Sequence, residues 1–133
     1  MRIPIGLFLV LHGLVHTALA SAADPDGRAF GWLVDPRWAW LLTRLGLSAD
    51  LIRLTGTMLW VLVTLAFVMA GLGVFGFMVP TRWWRGFAVV ASCGSLLLLI
   101  LFWHPWFITG AGLDLAVLIG LLGIDFPRRS LGW

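Results

Sequence analysis

The sequence predicts an all-α polytopic membrane protein: four transmembrane helices in a bundle, with a short interfacial helix in the first outer loop. Three observations carry that expectation. The 133 residues are 61% hydrophobic and only 11% charged, with a mean hydropathy of +1.01, and an ordinary soluble domain carries more than twice that share of charge. Lys, Glu, Gln, Asn and Tyr are all absent, so the solvated surface that a soluble protein builds from them cannot be assembled. The apolar residues fall in uncharged runs long enough to cross a hydrocarbon core of ~30 Å. The chain, 1–133, reads as a single transmembrane domain.

No formally charged residue separates Arg2 from Asp24, and this run forms a first crossing over 3–22. Met1-Arg2, an apolar core and Ala20-Ser21-Ala22 also mimic a secretory signal peptide, although two His residues are foreign to such a core. The following loop opens on turn chemistry, Asp24-Pro25-Asp26-Gly27. Asp35-Pro36 then reads as an N-cap with Pro in the first helical position. The helix it starts, over 36–45, places Trp38, Leu41, Leu42 and Leu45 on one side and Arg37 and Arg44 on another, the pattern of a helix lying on a membrane surface. Gly46 ends it. Ser48 caps the second crossing, 49–79, with Asp50 in its first turn and Pro80 as the stop. From Gly86 to Ile124 only Asp114 is charged. That run is too long for one crossing, and Trp103-His104-Pro105-Trp106 divides it into helices over 86–103 and 107–124.

With four crossings, Arg2, Arg82, Arg85, Arg128 and Arg129 share one side on short segments, while Arg28, Arg37, Arg44 and Arg53 are diluted by four Asp over a longer loop. The Arg-dense side, with both termini, is expected in the cytoplasm. Trp83 and Trp84 on that side, and Trp38, Trp40, Trp103 and Trp106 on the other, read as membrane-interface anchors. Trp60, inside the second crossing, is the one indole that needs a partner. Small residues should mark helix contacts: Gly13, Thr17 and Ser21; Gly71, Gly73 and Gly76; Ala88, Ser92 and Ser95; and Gly112, Ala116 and Gly120. A pI near 11.1 raises the question of nucleic acid. The formal charge is only +3 and the Arg residues are dispersed, so no nucleic-acid partner is expected. Cys93 is the only Cys and reads as a small hydrophobe.

Ionisable groups inside crossings are costly and seldom idle. Three are present: His12 and His16, four apart on one helix face, and Asp114 on the last helix. Counting inward from the outer helix ends puts His16 roughly 9 Å deep, Asp114 roughly 10 Å and His12 roughly 15 Å, so His16 and Asp114 are expected level. A buried His–Asp pair that only locks two helices and a working site are equally in keeping with this. His12, His16 and Asp114 also make a three-ligand metal set, but the helix reads HGLVH without the Glu that an HExxH hydrolase needs. Haem is not expected, because two His on one helix face cannot ligate opposite sides of one iron. His104 and Arg53 are candidates for the rim of a polar entrance. Ser92, Cys93 and Ser95 are placed nearer the inner side, away from the His residues, so no nucleophile–base pair is expected.

The elements His12-Gly13-Leu14-Val15-His16 and Arg82-Trp83-Trp84-Arg85 resemble those of small bacterial inner-membrane proteins with four helices, of which the DoxX-like proteins are the nearest named comparison. The resemblance implies a compact four-helix bundle in a bacterial inner membrane and assigns no particular activity. Two functional readings fit these residues. The first is non-enzymatic: an accessory or assembly subunit of a membrane complex, with lipid and other membrane subunits or further copies of the chain as partners, and no cofactor. The alternative is a small-molecule, metal or proton site formed by His12, His16 and Asp114 and reached past Arg53 and His104.

Overall fold

With so few polar side chains, the backbone groups must satisfy one another, and each long apolar run does so by closing into a helix. The computed structural model describes residues 2–21 and 32–123, which contain no strand. The helices are α1 (Arg2–Ser21), α2 (Trp40–Arg44), α3 (Ala49–Phe75), α4 (Trp84–Leu101) and α5 (Ile108–Leu118), the last prolonged by a π turn over Ile119–Gly123. Short 3-10 turns at Trp32–Val34, Pro36–Trp38, Thr81–Trp83 and Pro105–Phe107 fill the connections. α1, α3, and α4 and α5 with their adjoining turns are long and apolar enough to cross a membrane.

Local chemistry sets most boundaries. The Ser48 hydroxyl accepts from the Leu51 N–H at 3.3 Å and starts α3, and the Asp35 carboxylate accepts from the Arg37 N–H at 2.8 Å with Pro36 next to it. Two expected helices are shorter than the sequence reading had them. α3 stops at Phe75, not 79: Gly76 takes a left-handed φ of 70° and turns its N–H back onto the Leu72 and Gly73 carbonyls, so the chain has left the helix before Pro80 can act. The segment expected as one helix over 36–45 is a 3-10 turn followed by α2, broken at Ala39, whose ψ of 58° is not helical. The expected turn at Asp24–Gly27, Arg28, and the Arg128-Arg129 pair lie outside the described residues.

The long helices pack in the order α1, α3, α4, α5, which leaves α1 and α5 as the two edges of the bundle with little direct packing between them. The α1–α3 contact is the closest. A Cβ added at Gly71 would lie 2.7 Å from the Gly6 carbonyl oxygen and 2.5 Å from Val10 Cγ2, so the glycine is what lets these two backbones touch. Two apolar clusters fill the interior. At the end carrying Arg2, Arg82 and Arg85, Leu9, Val63, Phe67, Ala70, Val74, Trp84, Ala88, Ala91 and Leu121 pack together. At the other end, Leu98, Leu99, Phe102 and Phe107 are covered by Leu33, Ala39 and Leu42 of the first long connection.

Two placements differ from expectation. Trp84 is not a surface anchor; it is 4% exposed and part of the first cluster, whereas Trp83 is 55% exposed. Trp84 opens α4 and packs into the first cluster, whereas Trp83 ends the preceding 3-10 turn and lies outside it. Of the small-residue stripe of α5, Gly112 and Gly120 touch no described neighbour: a Cβ at either would find nothing within 4 Å among the described residues.

Candidate functional site

Buried polar side chains occur on all four long helices, and those of α1, α4 and α5 are joined by hydrogen bonds. α1 supplies His12 and His16, α3 Thr64, α4 Ser92 and Ser95, and α5 Asp114. Asp114, Ser92 and Ser95 are fully buried, and His12 and His16 are 6% and 4% exposed. Their phases follow from helical spacing. On α1 the buried residues are Gly6, Leu9, His12, Gly13 and His16, one stripe at i, i+3 and i+4. The same rule turns Ala88, Ala91, Ser92 and Ser95 of α4 inward together.

His12 Nε2 lies 2.9 Å from Asp114 Oδ1, joining the two edge helices. His16 does not face Asp114. Its Nδ1 is 3.1 Å from the His12 carbonyl, one turn back on its own helix, and its Nε2 is 2.8 Å from Ser95 Oγ. A carbonyl oxygen only accepts, so Nδ1 carries the hydrogen, and in the neutral ring Nε2 is left to accept from the Ser95 hydroxyl. Phe67 serves as a common wall, edge-on to the His12 ring at 4.7 Å and stacked on His16 at 5.9 Å. Phe8 stacks on the far side of His12 at 5.6 Å.

The layer is incompletely satisfied by protein. Asp114 Oδ2, Ser92 Oγ and Thr64 Oγ1 are buried without a hydrogen-bond partner among the described residues, as are the indole nitrogens of Trp60 and Trp38. Buried polar atoms are seldom left without a partner. Both His16 nitrogens point elsewhere, and no three His, Cys, Asp or Glu side chains among the described residues converge to hold an ion.

The depth count therefore needs two corrections. Asp114 pairs with His12, not with His16, because the two His are only one turn apart and helix rotation, which a depth count ignores, selects between them. Ser95 is not remote from the His residues: six residues from the end of α4 at Leu101, it lies roughly 9 Å in, the same count that places His16. That signal was present in the sequence. His104 and Arg53 do not join the layer by any hydrogen bond described. His104 accepts from the Trp106 N–H at 3.3 Å and packs edge-on against Trp38 at 4.5 Å. Arg53 is exposed and acts on Asp35. Burial raises the Asp35 carboxyl, but the Arg37 hydrogen bonds and the charges of Arg37 and Arg53 outweigh it and hold the group below the ordinary carboxylate range. Comparisons with protein-family models, curated proteins and solved structures find no match to this chain.

Proposed function

We propose that the chain is a multi-pass protein of a bacterial inner membrane with both termini in the cytoplasm, and that its polar layer binds and releases a proton at the His12–Asp114 couple. The observation that carries this reading is Asp114 itself, wholly enclosed, with one oxygen on His12 and the other without a hydrogen-bond partner among the described residues. A bare carboxylate in such surroundings lacks the two or three donors that normally stabilise it. One proton shared by the couple makes it net neutral and removes most of that cost. Ser92 Oγ and Thr64 Oγ1, also orphaned, are the groups that would relay the proton onward through water. The test is infrared spectroscopy of the reconstituted protein over a pH series. A carboxylic-acid carbonyl band that changes with pH, shifts in D2O and disappears in Asp114→Asn is the expected result. A spectrum unaltered by Asp114→Asn at every pH would count against the proposal.

A second reading, the accessory or assembly subunit, is supported by α5, whose span is the least buried of the four. Leu115, Ile119 and Leu122 lie exposed beside Gly112 on the side of α5 turned away from the bundle. Purification in mild detergent tests it. A stable complex disrupted by Gly112→Leu supports docking there, and a monomer without copurifying chains speaks against it.

A further inference from the structure

The buried polar side chains occupy two successive turns of the bundle. α1 and α4 both start at the Arg-rich end, and the 2.8 Å bond between His16 and Ser95 joins them. That turn is closed, because His16 Nδ1 is committed to the His12 carbonyl and Nε2 to the Ser95 hydroxyl. One turn back toward the Arg-rich end, α1 presents His12 and α4 presents Ser92, each on the buried stripe of its helix. The two steps back are roughly 6 Å and 4.5 Å of rise, which leaves Ser92 level with His12 to within about 1.5 Å. His12 in turn bonds Asp114 of α5.

This second turn is open. Ser92 and Asp114 are both fully buried, yet Ser92 Oγ and Asp114 Oδ2 have no hydrogen-bond partner among the described residues. Their helices touch: a Cβ at Gly110 of α5 would lie 3.5 Å from Leu99 Cδ1 of α4. Counting inward from that contact along both helices leaves Ser92 roughly 4.5 Å from Asp114 along the bundle. One small molecule with a hydrogen bond of ~2.8 Å to each side spans such a gap. The occupant is selected by chemistry. Oδ2 accepts when the carboxyl is ionised and can donate when it is protonated, so only a partner that both donates and accepts serves it throughout. A cation would also put an uncompensated charge beside a couple that its one proton has already made neutral. We propose that one water molecule sits between Asp114 Oδ2 and the Ser92 hydroxyl, and that the couple exchanges its proton through this water and Ser92, not through His16. The exchange route rests on the proton reading. His16 and Ser95 are positioning residues, since His16 could carry the proton only by giving up a bond it already makes.

Infrared difference spectroscopy of the full chain in liposomes tests both parts. Replacing solvent by 18O-labelled water should shift one O–H stretching band in the wild-type protein. That band should vanish in Ser92→Ala and in Asp114→Asn and persist in Ser95→Ala. On rapid mixing into D2O, the Asp114 carbonyl band should shift about 100-fold more slowly in Ser92→Ala, the low end of what a positioned proton-transfer group supplies. Ser95→Ala should leave that rate unchanged, and Ser92→Thr, which keeps the hydroxyl, should restore it. No 18O-sensitive band, a band that survives Ser92→Ala, or exchange that slows in Ser95→Ala and not in Ser92→Ala would overturn the inference. So would a band that responds to sodium chloride and not to choline chloride, the mark of a metal cation in that place. A carboxylic-acid band missing at every pH would refute the proton reading and the exchange route with it, while the 18O-sensitive band by itself decides the water.

Discussion

The energy of the His12–Asp114 couple distinguishes a shared proton from a buried ion pair, and a double-mutant cycle measures it. The variants are His12→Leu, Asp114→Leu and the double replacement, all of which keep the position apolar or make it so. His12→Leu also loses its ring contacts with Phe8 and Phe67, but those losses recur in the double variant and cancel from the coupling term. The geometry sets the magnitude. There is one hydrogen bond at 2.9 Å between enclosed groups and none to the second carboxylate oxygen. Hydrogen bonds between helices in a membrane average about 0.6 kcal/mol and reach about 1.7 kcal/mol, whereas breaking a buried ion pair costs about 3–5 kcal/mol. A fully enclosed couple whose proton leaves both partners uncharged should fall near the top of the first range, about 1–2 kcal/mol. Reversible unfolding in mixed micelles, followed by Trp fluorescence, gives the number. A coupling indistinguishable from zero would show that the couple does not hold α1 to α5. One above about 3 kcal/mol would identify a charged pair and refute the shared proton.

Other replacements test neighbouring parts of the argument. Ser95→Ala leaves His16 Nε2 without its donor and should lower stability by about 1–2 kcal/mol in a thermal melt, whereas Ser92→Ala removes a hydroxyl that bonds to no described residue and should be neutral or stabilising. Gly71→Ala puts a methyl against the Gly6 carbonyl and Val10 and should cost about 2 kcal/mol or more, while Gly112→Ala meets open space and should gain up to about 1 kcal/mol in helix propensity. Acid should release the Asp35–Arg37 turn. The folded-state value of Asp35 is depressed, so its contribution is complete above the ordinary carboxylate range and is lost as pH falls through the lower, folded-state range. Near-ultraviolet circular dichroism of the nearby indoles should show that step, and Asp35→Asn should remove it.

What was legible in the sequence was what local chemistry and helix length decide. Ser48, Asp35-Pro36 and the break at Trp103–Trp106 have short-range consequences, and a run of some 20 apolar residues has few alternatives to a helix. The end of α3 differs from the expected one because Gly76, free to turn left-handed, ends the helix before the chain reaches Pro80. The membership of the polar layer was legible for His12, His16 and Asp114, since ionisable residues stand out in apolar runs. Their pairing was not, because it depends on how far each helix is rotated about its axis. That rotation follows from packing such as Gly71 against Gly6, which joins residues 65 positions apart. Ser95 and Thr64 were harder to find because hydroxyls in apolar helices are common and only burial beside other polar groups separates these two from the rest.

The order of helices gives the site its character. A bundle closed along all four seams would hold a His–Asp couple as one more contact among many, and its protonation would change little else. Here α1 and α5 are edges, and the couple bridges the seam where they otherwise pack least. Loss of the couple would remove the one side-chain hydrogen bond described across that seam.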